Sequence, residues 1–169
     1  EQHVCAGIVA VHEERKGHIY CLKAYREILN KGLLPPKLLI EGGGSETLML
    51  KSYVKENELN QFVIFVGHVE SVHEFYQSID FLVLPSIDFE DFPNVIIEAL
   101  GMGLPVIGTK VAGIPEQIID SENGYLVEPR DFVALSQAIV KLKSDESLRK
   151  KMGIISRILY EKNYIPEIA

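Results

Sequence analysis

The chain has 169 residues, 47% hydrophobic and 24% charged, with a net charge of −7 from 17 Lys and Arg against 24 Asp and Glu. Its length fits one domain and its composition is globular, which excludes disorder, collagen and coiled coil. The acidic balance argues against a general polyanion binder and hence against nucleic acid, so any phosphate must be held locally by a few basic side chains and backbone amides. Cys5 and Cys21 are too few for a disulfide scaffold, lack metal spacing, and read as small buried hydrophobes. That reduced-looking usage points to the cytoplasm. No apolar run approaches the roughly 18–20 residues of a membrane span. No signal peptide is visible. The first residue is Glu1 and not Met, so the chain is expected to begin inside a longer protein.

Short apolar runs alternate with helical patterns along the chain. Residues 4–11 (VCAGIVAV) read as a buried strand. Residues 17–30 place Ile19, Leu22, Tyr25, Ile28 and Leu29 at helical spacing, and Gly32 stands just beyond as a stop. A strand over 37–40 precedes the run Gly42-Gly43-Gly44, and 47–55 reads as a helix. Strand 62–66 and helix 69–78 follow, then strand 81–84, closed by Pro85-Ser86. Helix 94–100, strand 105–108, a short helix 113–119 and strand 124–127 come next, and helices 132–142 and 146–160 close the chain. Strands that are apolar throughout are buried on both faces. Alternation with helices then predicts an α/β fold, a Rossmann-like doubly wound parallel sheet of about six strands with helices on both faces and right-handed crossovers. No linker or repeat divides residues 1–169. In such folds ligands bind beyond the carboxyl ends of the strands. The loops that start at Val11, Glu41, Val66, Pro85, Gly108 and Val127 are therefore the ones to inspect.

The richest is the loop Pro85-Ser-Ile-Asp-Phe-Glu-Asp-Phe-Pro-Asn94. Pro93 suits the first position of the next helix, with Asp91 or Phe92 as its cap region. The free N–H groups of Asn94, Val95 and Ile96 would then point into the crevice and could hold a phosphate. Glu90 lies in the loop and Glu98 eight residues further on. A carboxylate on each side of a phosphate-sized gap suits a ligand with hydroxyls at both ends of a diphosphate. Taken alone, each would read as a solvated acid. Glu98, however, sits in VIIEAL among apolar neighbours, where an unpaired acid is costly.

The stretch LPSIDFEDFPNVIIEALGMGLPVIGTKVAGIPE, from Leu84 to Glu116, closely resembles the family 4 retaining glycosyltransferases. The likeness extends from the strand containing Gly7 to Asn163, and its two-Glu motif with the following G-x-P-V strand and G-x-x-E turn is specific. The resemblance implies the C-terminal, nucleotide-sugar-binding half of a two-domain GT-B enzyme that transfers a hexosyl-type residue with retention. It implies a donor such as a UDP- or GDP-sugar and no metal. The glycan or lipid-linked acceptor would lie on an N-terminal domain outside this chain, in a polysaccharide or related biosynthetic route. By the same resemblance Glu90 matches the acid on the donor sugar and Glu98 the acid on the ribose. Phe92, Pro93, Asn94 and Val95 match the loop whose amides hold the diphosphate, Gly113 the turn beside it, and Gly67 and His68 a loop whose backbone faces the base. Lys16, which alone would read as a solvated lysine beside Arg15, matches the lysine that neutralises the leaving diphosphate.

Two positions depart from the family pattern. Ala10-Val11 stand where the family has Gly-Arg, with Arg15 the nearby basic residue, and Asp91 stands where the family has Gly. A nucleotide-sugar-binding module without transferase activity and a GT-B nucleotide-sugar epimerase are the alternatives. Gly42 to Gly44 lacks the third glycine of a dinucleotide fingerprint, since position 47 is Thr, and reads as a tight turn beside Glu41. His3, His12, His18 and His73 form no metal spacing. Residues 164–169 resemble the segment before a final helix that crosses back to the other half. Family members commonly act at the inner face of a membrane, although no basic amphipathic stretch argues it here. The chain alone is expected to fold and to transfer little or no sugar.

Overall fold

A computed structural model describes residues 3–166. The expectations for the chain start at Glu1 and for Glu167 to Ala169 lie outside the described residues. Six strands, β1 (Cys5–Val9), β2 (Lys37–Glu41), β3 (Val63–Gly67), β4 (Phe81–Leu84), β5 (Val106–Thr109) and β6 (Gly124–Val127), form one parallel sheet in the order β3-β2-β1-β4-β5-β6. The helices are α1 (His18–Asn30), α2 (Thr47–Glu56), α3 (Val72–Gln77), α4 (Asn94–Gly101), α5 (Ile114–Gln117), α6 (Phe132–Ser144) and α7 (Glu146–Asn163).

Alternate strand residues feed two cores. Ala6, Ile8, Phe81 and Val83 pack with Leu22 and Tyr25 of α1, Leu50 of α2 and Ile139 of α6. Val9, Leu82, Leu84 and Val106 pack on the other face with Phe75 of α3, Ile96 and Leu100 of α4 and Ile114 of α5, against which Tyr160 of α7 closes. All four residues of β4 and all four of β5 are buried, which is why those runs carry no polar alternation. Each fully buried large apolar side chain contributes about 1.5–3 kcal/mol, so this two-sided core carries most of the stability.

Several elements are shorter than the sequence pattern suggests, each for a local reason. Strand 4–11 ends at Val9, and a 3-10 turn (Glu14–Lys16) carries the chain to Gly17, whose left-handed φ of 69° starts α1 one residue late. Helix 69–78 contracts to Val72–Gln77 because Ser71 caps it, its hydroxyl accepting from the Glu74 N–H at 3.2 Å. Helix 113–119 contracts to Ile114–Gln117 because Ile118 is extended, at φ −120° and ψ 122°.

Candidate functional site

The strand order reverses between β1 and β4, and the crevice of a doubly wound sheet opens at that point. The loops that follow these strands are clamped together there. Gly17 packs so closely that a Cβ would lie 2.0 Å from the Pro85 carbonyl oxygen, and only glycine accepts both that approach and its φ. The Ile87 N–H donates to the Arg15 carbonyl at 2.8 Å. This clamp brings Lys16 to Glu90. The ammonium donates to Glu90 Oε1 in an ion pair whose side chains are only 14% and 6% exposed. Ser86 Oγ donates to the same oxygen at 2.7 Å, and Thr109 Oγ1 holds the Ser86 carbonyl at 2.6 Å. A buried carboxylate needs such partners, because an unpaired charge there costs several kcal/mol.

The backbone before Glu90 is strained. Phe89 sits at φ 49°, with its ring 76% exposed. A left-handed conformation costs a non-glycine residue roughly 1–2 kcal/mol. Two bonds hold it: the Phe89 N–H donates to Asp88 Oδ1 at 2.9 Å, and Arg15 Nη1 donates to the Phe89 carbonyl at 3.2 Å. Arg15 Nε is engaged by Glu13 at 2.9 Å. Arg15 therefore braces the Glu90 loop. Val11, where the family pattern has Arg, is exposed.

The segment after Glu90 leads into α4. Pro93 is the cap of this helix and not its first residue, at φ −66° and ψ 123°, and no side chain caps the helix. The Ile96 N–H donates to the Pro93 carbonyl at 3.2 Å, so of the three amides expected to be free, Ile96 is engaged. The amides of Asn94 and Val95 have no partner among the described residues. Gln117 Nε2 donates to the same Pro93 carbonyl at 3.2 Å and fixes the helix start. Gly113 closes over this segment. A Cβ on Gly113 would lie 1.7 Å from the Asp91 carbonyl oxygen, and its N–H donates to the Glu90 carbonyl at 3.1 Å. Gly113 thus shapes the loop and does not offer a ligand its amide. Phe92 is half exposed, its ring centroid 6.1 Å from that of Tyr164.

Glu98 lies one turn inside α4. It is exposed, contrary to the expectation from its apolar neighbours, because the helix turns those neighbours inward and this position outward. Tyr76 Oη donates to Glu98 Oε2 at 2.7 Å. Burial, with the Glu98 carboxylate beside it, pushes the Tyr76 pKa up and keeps the hydroxyl a donor. Sequence reasoning missed Tyr76. It lies 22 residues away on another helix, and no local spacing links the two.

The flank over β2 and β3 is fastened separately. Glu41, nearly buried, accepts from the Val69 N–H at 3.3 Å, and His68 Nδ1 lies 3.7 Å from the same oxygen. Gly67, at φ 70°, is exposed, and its carbonyl accepts from Gly42 at 2.9 Å. The three-glycine turn packs on the first loop, with the His12 N–H donating to the Gly43 carbonyl at 2.9 Å. Beneath it His12 and His18 are buried edge-to-face, 4.9 Å between centroids. Burial pulls the His18 pKa down to about 3, with His12 and Lys16 adding to the effect, and burial lowers that of His12 as well. His18 is therefore neutral at pH 7, and the cation paired with Glu90 is Lys16. Sequence reasoning considered these histidines only for metal spacing, and their burial has no local signature.

Lys16 and Glu90 thus meet at the switch point, Phe92 and the free amides of Asn94 and Val95 follow Glu90 at the start of α4, Glu98 lies a turn deeper on that helix, and Gly67 and His68 stand at the end of β3. A doubly wound sheet with a lysine, carboxylates and an uncapped helix start at its switch point defines a domain suited to a phosphate-bearing ligand. The chain matches the model of the glycosyl transferases group 1 over residues 4–158, and it belongs to that family. It is 34% identical over 132 residues to the N-acetyl-alpha-D-glucosaminyl L-malate synthase of Bacillus anthracis, covering 78% of this chain and 34% of that protein. It is 32% identical over 153 residues to the capsular polysaccharide biosynthesis glycosyltransferase CapM of Staphylococcus aureus, covering 90% of this chain and 40% of CapM. The chain therefore spans well under half the length of these relatives. TarM of S. aureus, solved with Fondaparinux, alpha-GlcNAc-glycerol and UDP, shares the fold at a TM-score of 0.90 and 20% identity, covering 96% of this chain and 33% of TarM. Among the described residues no helix is long and apolar enough to cross a membrane.

Proposed function

We propose that this chain is the C-terminal, donor-binding half of a retaining family 4 glycosyltransferase and that its crevice takes a nucleotide diphosphate sugar. The contact between Lys16 and Glu90 at the switch point, beside the uncapped start of α4, carries this reading. The diphosphate lies against Lys16 and the amides of Asn94 and Val95. The ribose meets Glu98, the sugar meets Glu90, and the base faces the loop at Gly67 and His68. Departure of the nucleoside diphosphate builds negative charge, which Lys16 and the helix start stabilise without a metal. Lys16 then bridges Glu90 and the phosphate, so one cation orients the acid and balances the leaving group. The acceptor, a glycan or a lipid-linked one, comes from an N-terminal domain, and CapM supports a polysaccharide route. Because the chain spans only a third to two-fifths of its relatives, transfer is a property of the full-length protein.

The test is transfer by the full-length protein with each nucleotide sugar. We expect Lys16→Ala and Glu90→Ala each to lower kcat/KM by about 10²–10³, the scale for losing one electrostatic contact in a transition state. The anomeric configuration of the product, read by NMR, reports retention. One observation favours a second reading, nucleotide-sugar binding without transfer. Position 11 is Val, and Arg15 is engaged by Glu13 and the Phe89 carbonyl. Turnover by the full-length protein that is lost in both variants would reject it. An epimer of the free donor in place of a glycosidic product would point to the epimerase.

A further inference from the structure

Glu98 is an exposed acid on α4 that opens onto a cavity of about 260 Å³ flanked by His73 and Tyr160. A carboxylate in that setting has several open rotamers and loses their entropy on meeting a ligand. Tyr76 removes that freedom. Its ring is anchored in the core at 2% exposure, and its hydroxyl donates to Oε2 at 2.7 Å. Among the described residues Oε1 and the remaining lone pair of Oε2 have no partner, and two adjacent acceptor sites match two adjacent hydroxyls. The Tyr76 hydroxyl also lies 3.3 Å from the Val95 carbonyl. It therefore keeps an acceptor without Glu98, so the contact to Glu98 is not needed to satisfy a buried hydroxyl.

We propose that Tyr76 is a positioning residue that sets Glu98 to recognise a vicinal diol, and that the pair makes the site select ribonucleotides over 2′-deoxyribonucleotides. The inference rests on Glu98 holding the ribose. Calorimetric titration of UDP and 2′-deoxy-UDP, with the GDP and ADP pairs alongside, measures the selectivity as a ratio of Kd values. We expect wild type to favour the ribonucleotide by about tenfold or more, the scale of a hydrogen bond to a charged group. Tyr76→Phe keeps the ring in the core. It should weaken the ribonucleotide about three- to tenfold and leave the deoxy Kd within about twofold. Glu98→Ala should bring the ratio near one, and adding Tyr76→Phe to it should change nothing further, because the two act as one unit. A merely structural tyrosine would weaken both nucleotides equally, and that result overturns the inference. So does a Tyr76→Phe ratio equal to wild type while Glu98→Ala abolishes it. A ratio that survives Glu98→Ala overturns the reading of Glu98 itself, and absence of binding by every ribonucleotide overturns both.

Discussion

The helix starts at the centre of the strand ends differ from those at the margins. Over the outer strands β3 and β6, α3 and α6 are closed by their own side chains, Ser71 at 3.2 Å and Asp131 at 2.9 Å. Over β1, β2, β4 and β5, α1, α2, α4 and α5 begin without a side-chain cap. A cap contributes about 1 kcal/mol. At α4 the absence of a cap coincides with the free amides of Asn94 and Val95 beside the crevice, whereas α3 and α6 at the margins keep their caps. The charges follow the same division. The central pair Lys16–Glu90 is nearly buried, whereas Lys110–Glu128, near the far end of the sheet, is more than half exposed on both sides. An exposed pair of that kind contributes about 0–1 kcal/mol.

The comparison can be broken at its centre first. Lys16→Ala leaves Glu90 buried with only the Ser86 hydroxyl, and we expect a loss of about 3–5 kcal/mol, read by urea unfolding. Lys16→Ala combined with Glu90→Gln should recover most of it. Lys110→Ala should change stability by less than about 1 kcal/mol.

Acid should act next. The folded His18 pKa, about 3, lies below the ordinary 6.5, so the unfolded chain binds the proton first. The contribution of neutral His18 is complete above pH 6.5 and is lost as the pH falls from there toward about 3. The expected slope is about 1.4 kcal/mol per pH unit over most of that window, steeper where His12 titrates too. His18→Leu should flatten the profile. A profile unchanged by that substitution would remove the buried histidine from the account.

At the margins, Asp131→Ala and Ser71→Ala should each cost about 1 kcal/mol and leave nucleotide affinity unchanged. The smallest effect concerns the backbone beside the crevice. Ala112 sits at φ 42°, and Ala112→Gly should stabilise by about 0.5–1 kcal/mol, seen as a rise in Tm.

The sheet was legible because each strand carries a short apolar run, and turn residues close three of them at once: Gly42 after β2, Gly67 at the end of β3 and Pro85 after β4. The register between α4 and its loop was legible because Pro93 marks the helix start to within one residue. Glu90, Glu98 and Lys16 stood out through a family pattern, and local spacing alone would have left them as solvated charges. What escaped was set by tertiary packing. The bond from Tyr76 to Glu98 joins two helices, the Ile96 amide is taken by a one-turn contact that composition does not reveal, and Gly113 turns its N–H to Glu90 only because the β5–α5 loop folds over residue 91. The exposure of Glu98 follows from the phase of α4, which VIIEAL, apolar on nearly every side, does not disclose.

The central claim is that the crevice between β1 and β4 holds a nucleoside diphosphate. It is tested most directly by thermal unfolding of this chain with UDP, GDP and ADP, alone and as Glu98→Ala. Glu98 is exposed, so its removal leaves the fold intact. A nucleotide at about 100 times its Kd adds about 2.7 kcal/mol, or several degrees in Tm for a domain of this size. The account predicts such a rise with one of the three and only about half of it in Glu98→Ala, as a roughly tenfold weaker Kd requires. An undiminished rise in Glu98→Ala, or no rise with any of them, would contradict it.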